Sequence, residues 1–106
     1  ELHPLGVKAS RRGEGIGKAL VARLEQECAA RGCITLYLGT DDEFGQTTLS
    51  GTDLFEDTFH KIETIQNLNG HPYEFYQKQG FQIVGVLPDA NGLGKPDIWM
   101  AKHISK

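Results

Sequence analysis

A basic, glycine-rich segment constrains the fold of this 106-residue chain more than any other feature. Residues 11–18 read Arg-Arg-Gly-Glu-Gly-Ile-Gly-Lys, between a short apolar run at residues 2–7 and a helical pattern at residues 16–31. Glycines let a backbone approach a ligand closely, and the first N–H groups of a helix have no partner within the helix. Because the helix dipole also favours an anion there, the order strand, glycine turn, helix predicts a phosphate-binding site.

Two standard phosphate-binding loops fit this segment poorly. A P-loop requires G-x-x-x-x-G-K-[ST], but Gly13 and Gly17 are one residue too close together, and Ala19 stands where the hydroxyl should be. A dinucleotide-binding fingerprint requires G-x-G-x-x-G directly after the strand, but Lys18 occupies the third glycine position. In that hypothesis Asp41, after the next apolar run, would bind a ribose. A glycine-rich turn with solvated arginines and no ligand also stays open.

Two segments together resemble the GCN5-related N-acetyltransferase superfamily. Arg12, Gly15 and Gly17 form Arg-x-x-Gly-x-Gly, and residues 69–81 read Asn-Gly-His-Pro-Tyr-Glu-Phe-Tyr-Gln-Lys-Gln-Gly-Phe. Both are similar to motifs of that superfamily, in its order and spacing. Pro72 replaces the usual small residue, a mild departure because proline is accepted in a first helical turn. Residues 2–5, 37–42, 71–76 and 95–100 look like the aminoglycoside 6'-N-acetyltransferases within it.

This resemblance implies transfer of an acetyl group from acetyl-CoA to an amine, most closely of an aminoglycoside, without a metal. In that superfamily the first two strands of this chain are parallel and splay apart, with acetyl-CoA in the cleft. The backbone near Leu5 and Val7 would then bind the acetyl and pantetheine end, and Asn69 the cofactor arm. Tyr76 would protonate the departing thiolate, although a core position for its ring is the alternative. Backbone amides of the loop would bind the pyrophosphate, namely those of Arg12, Gly13, Gly15, Ile16, Gly17 and Lys18.

The net charge of −3 is unevenly distributed. Residues 1–31 carry six basic and four acidic side chains, whereas residues 41–63 carry seven acidic side chains and one lysine. An acidic chain argues against general nucleic-acid binding, and the basic end suits CoA phosphates. The acidic insert, at about residues 39–68, suits a small cationic amine, with Asp41, Asp42 and Glu43 as candidate acceptor-binding residues. A solvated acidic surface is an equal alternative.

Length and patterning predict one domain over residues 1–106. The expected fold class is α/β, a partial acetyltransferase fold with a mixed sheet in the order β-α-β-(α)-α-β-β. Helical patterns cover residues 16–31, 54–65 and 72–79, and strands are predicted at residues 2–7, 34–38, 81–87 and 97–102.

The chain lacks the N-terminal strands that precede this region in the superfamily. The open strand edge at residues 2–7 therefore predicts a homodimer or larger oligomer. A non-catalytic CoA-binding or self-associating fragment and a nucleotide-binding βαβ module remain alternatives to an active enzyme. Cys28 and Cys33 are expected to be reduced thiols near the core. With no membrane-length apolar run and no signal segment, we expect a cytoplasmic protein that does not contact a membrane.

Overall fold

The computed structural model describes the backbone of residues 4–9 and, in full, residues 17–104. Its elements follow the predicted order and confirm the fold class. They are β1 (Pro4–Ala9), α1 (Lys18–Ala30), β2 (Thr35–Asp41), α2 (Thr58–Glu63), α3 (Tyr73–Lys78), β3 (Gln82–Leu87) and β4 (Asp97–His103).

The four strands form one mixed sheet in the order β1-β2-β4-β3. Strands β1 and β2 are parallel, whereas β4 is antiparallel to both β2 and β3. The described sheet is therefore not a doubly wound parallel sheet, although β1, α1 and β2 form one parallel βαβ unit. The last strand in chain order, β4, therefore lies in the centre of the described sheet, between β2 and β3.

Strands β1 and β2 stay paired along the whole of β1, from Pro4↔Thr35 to Ala9↔Thr40. The splay expected from the resemblance is therefore absent over these residues. The physical reason is that a continuous ladder satisfies the backbone groups that face each other across the two strands. The segment that follows Ala9 lies outside the described residues.

One face of the sheet carries the core. Leu38 pairs with Met100 and Thr40 with Ile98 across β2 and β4, and all four side chains are buried. From α1, Val21 and Cys28 pack into the same cluster, at the helical spacing that the sequence predicts. Cys28 and Cys33 are fully buried free thiols, as expected, and burial raises the pKa of Cys28 to about 11.

The predicted helix at residues 54–65 is largely wrong. Only Thr58–Glu63 is helical, and Phe55 and Phe59 are 78% and 83% exposed. The carboxylate of Asp53 accepts a hydrogen bond from the Phe55 N–H at 3.0 Å, which forms a turn in place of a helix cap. Asp57 then adopts a left-handed conformation (φ 54°) directly before α2, so the helix cannot extend backwards.

Candidate functional site

The start of α1 has features that suit an anion. Gly17 is the N-cap, with extended backbone and no side-chain cap, and the first turn contains no acidic residue. A Cβ at Gly17 would meet no described heavy atom within 4 Å, so the backbone there is open. Lys18 follows as the first helical residue and is exposed, which adds positive charge beside the dipole. The other loop candidates, Arg12, Gly13, Gly15 and Ile16, lie outside the described residues.

The topology places the start of α1 near the carboxyl ends of β1 and β2. Ala9, the last residue of β1, pairs with Thr40 near the end of β2, so the carboxyl ends of both strands meet. Helix α1 returns the chain to the opposite end of the strands, where β2 begins at Thr35. The N-terminus of α1 therefore lies at the same end of the sheet as Asp41, the last residue of β2, and Asp42, which follows it.

Asp42 holds the loop that follows β2. Its carboxylate accepts hydrogen bonds from Gln46 N (2.8 Å) on one oxygen, and from Thr47 N (2.8 Å) and Thr47 Oγ1 (2.7 Å) on the other. The residue is fully buried. Direct contact between Asp42 and an acceptor is therefore not supported by this geometry. Asp41 is also buried, and Glu43 is half-buried.

His71 is a site residue to which the sequence assigned no role. Its ring is buried, with Nε2 2.9 Å from the carbonyl oxygen of Asp41 and Nδ1 accepting a hydrogen bond from Tyr73 N at 3.0 Å. Because Nδ1 accepts, Nε2 carries the proton and donates it to Asp41. Burial lowers the pKa of His71, which favours this neutral form. Its one sequence signal is its place in the segment His71-Pro72-Tyr73 that resembles the superfamily motif.

Asn67 fixes the backbone on both sides of this ring. Its Nδ2 donates to the His71 carbonyl at 2.8 Å and to Glu74 Oε1 at 2.9 Å, and its Oδ1 accepts from His71 N at 2.8 Å. We call the contacts of His71 with Asp41, Tyr73 and Asn67 the His71 bridge. It joins the end of β2 to the start of α3.

Asn69, the predicted cofactor contact, lies beside the Asp42 loop. Its N–H donates to Gln46 O at 3.2 Å, and Gln46 Nε2 donates to Asn69 O at 3.2 Å. The residue is exposed. These hydrogen bonds bring Asn69 next to the loop after β2 that Asp42 holds. The two segments are therefore close enough to face one ligand.

Tyr76 lies in α3, and its side chain is part of the hydrophobic core. It is 1% exposed, and its ring meets Phe75 and Phe81 edge-on at centroid distances of 5.4 and 6.0 Å. Burial raises the pKa of the phenol, so it keeps its proton at neutral pH. The contacts of the ring therefore make Tyr76 part of the core.

Comparison with known proteins identifies the family. The model of the acetyltransferase (GNAT) family matches residues 1–48. The crystal structure of the aminoglycoside 6'-N-acetyltransferase from Enterococcus faecium is 57% identical, over 96% of this chain and 61% of its own, with a TM-score of 0.84. The chain belongs to the GNAT family.

Two further structures agree with this assignment. An aminoglycoside 6'-N-acetyltransferase complexed with coenzyme A is 64% identical, over 91% of this GNAT chain and 53% of its own, with a TM-score of 0.82. The aminoglycoside 6'-acetyltransferase type Ii is 44% identical, over 96% and 55%, with a TM-score of 0.57. The chain thus spans about three fifths of the length of the Enterococcus faecium protein. The comparison with curated proteins found no match.

Two buried side-chain oxygens near the end of β2 have no hydrogen-bond partner among the described residues of this GNAT domain. Thr40 Oγ1 and Gln46 Oε1 are buried and accept or donate no hydrogen bond within the part of the chain that the structure describes. Buried polar atoms are nearly always paired, so each of these oxygens needs a donor from beyond the described residues. Among the described residues, no group of three or more acidic, histidine or cysteine side chains converges as a metal site would require. None of the described helices is long and apolar enough to cross a membrane.

Proposed function

We propose that this protein is an acetyl-CoA-dependent N-acetyltransferase whose acceptor is an amine of a small polycation, most closely an aminoglycoside. The observation that carries this proposal is the 57% and 64% identity to two aminoglycoside 6'-N-acetyltransferases, one of them complexed with coenzyme A. The activity is a proposal for the whole protein, because this chain corresponds to 61% of the first relative.

The described residues fit the cofactor at the start of α1. Bound acetyl-CoA supplies an activated acetyl thioester. The open backbone at Gly17 and the charge of Lys18 would hold its pyrophosphate, together with the loop residues Arg12, Gly13, Gly15 and Ile16. Leu5 and Val7 are two residues apart in β1, so their backbone groups point to the same side of the strand and could bind one extended ligand. Asn69 would add a contact from the opposite side of the site.

Tyr76 would donate the proton that the departing thiolate requires. One property supports this role: the rings of Phe75 and Phe81 hold the phenol in one orientation. A general acid that is fixed in place needs no reorganisation when the proton moves.

The acceptor would be recognised at the end of β2. Gln46 Oε1, which has no hydrogen-bond partner among the described residues, can accept a hydrogen bond from an ammonium or hydroxyl group, and Glu43 adds a half-buried carboxylate. In this proposal Asp41 and Asp42 act indirectly, since Asp42 shapes the loop that carries Gln46. Four further carboxylates of the insert are exposed and would attract a polycation over a longer range: Asp53, Glu56, Asp57 and Glu63.

The replacement Gly17→Val tests the cofactor site. We expect folding to be nearly unchanged, at a cost of no more than about 1 kcal/mol for a poorer N-cap, because the added Cβ meets no described atom within 4 Å. CoA affinity should fall at least about tenfold, equal to about 1.4 kcal/mol, since the side chain would occupy the anion position. Gly85→Val is the matched control, because a Cβ at Gly85 also meets nothing within 4 Å but lies in β3.

Calorimetric titration of both variants with CoA and with NAD gives the answer. Unchanged CoA affinity in Gly17→Val would remove the pyrophosphate assignment, and a preference for NAD would favour the nucleotide-binding alternative. Turnover with an aminoglycoside then separates an enzyme from a CoA-binding fragment, which would bind CoA and transfer nothing.

A further inference from the structure

We propose that His71 is a positioning residue for acetyl transfer, which locks α3, and with it Tyr76, onto the end of β2. This inference rests on the proposed function, because the position of Tyr76 affects the rate only if Tyr76 is the acid.

The bridge joins two elements that are 30 residues apart in the chain. Helix α3 is short, and its N-cap Pro72 provides no side-chain cap, so the Tyr73 N–H depends on His71 Nδ1. The other ring nitrogen binds the Asp41 carbonyl at the last residue of β2. One neutral imidazole therefore satisfies a helix donor and a strand acceptor at the same time, in a single tautomer.

The position of Tyr76 is coupled directly to that of the first turn of α3. The two residues are one helical turn apart, and Tyr76 N donates to Pro72 O at 3.2 Å. The His71 and Tyr73 rings also pack against each other, with centroids 5.6 Å apart. A displacement of the first turn of α3 must therefore displace the Tyr76 ring or break its packing against Phe81.

Tyr73 also packs in the core, but other hydrogen bonds that hold this end of α3 are few among the described residues. Asn67 holds the backbone of His71 and the carboxylate of Glu74, but the bond to β2 passes through the imidazole ring. Near the ring, Asp41 and Asp42 favour its charged form, whereas burial favours the neutral form and dominates. The bridge is thus poised in the neutral state that both of its hydrogen bonds require.

Two substitutions divide the bridge into its halves. In His71→Asn, the amide oxygen replaces Nδ1 as acceptor for Tyr73 N–H, but the side chain is too short to reach Asp41. In His71→Gln, the amide N–H replaces Nε2 as donor to Asp41, but no acceptor remains near Tyr73. We expect each to lower kcat about 10- to 100-fold, the loss typical of a misplacement near 1 Å, with CoA affinity unchanged.

The decisive measurement combines these changes with Tyr76→Phe in the longest natural form of the protein. If His71 acts through Tyr76, adding His71→Asn to Tyr76→Phe lowers kcat no further than about twofold, because the effects of residues that work as one unit are not additive. Multiplicative losses would overturn the positioning role and leave His71 as a structural residue. A fully active Tyr76→Phe variant would instead remove the proposed acid, a separate failure that the single variant reveals by itself.

A measurement on the unaltered protein needs no variant to fold. Nitrogen-15 NMR of the His71 ring should show the proton on Nε2 and none on Nδ1 at neutral pH. A proton on Nδ1 would be incompatible with acceptance from Tyr73 and would overturn the bridge.

Discussion

Replacement of Asp42 by asparagine tests whether a carboxylate of the acidic insert serves the fold or the acceptor. Asparagine keeps the shape of aspartate but has only one acceptor oxygen. In Asp42 one oxygen serves Gln46 N, and the other serves both Thr47 N and Thr47 Oγ1. Either orientation of the amide therefore turns an NH₂ group towards a backbone N–H, and that donor is left without a partner.

The expected loss follows from these contacts. A buried donor left unpaired costs about 1–3 kcal/mol, and a hydrogen bond to a charged group contributes about 1.5–3 kcal/mol. Since Asp42 is fully buried, solvent cannot replace the lost bonds. We expect Asp42→Asn to lower the free energy of unfolding by about 2–4 kcal/mol. For a domain of this size, Tm should fall by about 8 °C or more.

Asp57→Asn is the matched control. It removes the same charge from an exposed residue of the same insert, and asparagine tolerates the left-handed φ of 54° found there. Its free energy of unfolding should stay within about 0.5 kcal/mol of the parent protein. Urea unfolding followed by circular dichroism measures both variants, and KM for an aminoglycoside is determined in parallel. Equal stability of the two variants, with a raised KM in Asp42→Asn alone, would refute the structural role and return Asp42 to the acceptor site.

Three further predictions concern pH, packing and assembly. Because burial lowers the pKa of His71, the unfolded chain binds more protons than the folded one near that pKa. The contribution of His71 to the free energy of unfolding should therefore be fully present above the unfolded pKa of about 6.5 and decrease below it. Urea midpoints of His71→Gln should depend less on pH than those of the parent protein. Lys102→Met should cost about 1–2 kcal/mol by urea unfolding, since Lys102 Nζ contacts Glu25 (3.0 Å) and Gln79 O (2.6 Å), whereas exposed Lys95→Met should cost under about 0.5 kcal/mol. Strand β1 ends the described sheet, so light scattering should show a dimer or larger oligomer, and a stable monomer at micromolar concentration would contradict this.

The order of elements could be predicted because its signals are local. Val21 and Cys28 are spaced as one face of a helix requires, and both are buried. Gly80 adopts φ 98° directly after the C-cap of α3, where the sequence places the end of that helix. Each signal is complete within a few residues, so no knowledge of the remaining chain is needed to interpret it.

The arrangement around the site could not be predicted, because its contacts are distant in sequence. The pairing of β2 with β4 brings Thr40 against Ile98, and the bond between His71 and Asp41 spans 30 residues. The helical spacing at residues 54–65 was misleading for a related reason: a local turn at Asp53 outweighs the pattern, and Phe55 and Phe59 end up exposed. Hydrophobic spacing predicts a helix only where a partner surface covers its apolar face.

The charge of the acidic insert illustrates the same limit at the level of function. The sequence has seven carboxylates between residues 41 and 63, and the fold leaves two buried, one half-buried (Glu43) and four exposed. Asp41 and Asp42 are buried, and Asp42 is fully occupied by the protein's own donors, so its charge is balanced before any acceptor arrives. The exposed carboxylates are screened by solvent, so under the proposed function they would raise the rate of encounter with a polycation more than they would hold it; they are Asp53, Glu56, Asp57 and Glu63. Under the proposed function, close recognition of the polycation is expected at the loop that Asp42 holds, where Gln46 Oε1 is buried without a partner among the described residues, since a hydrogen bond there would satisfy an otherwise unpaired oxygen.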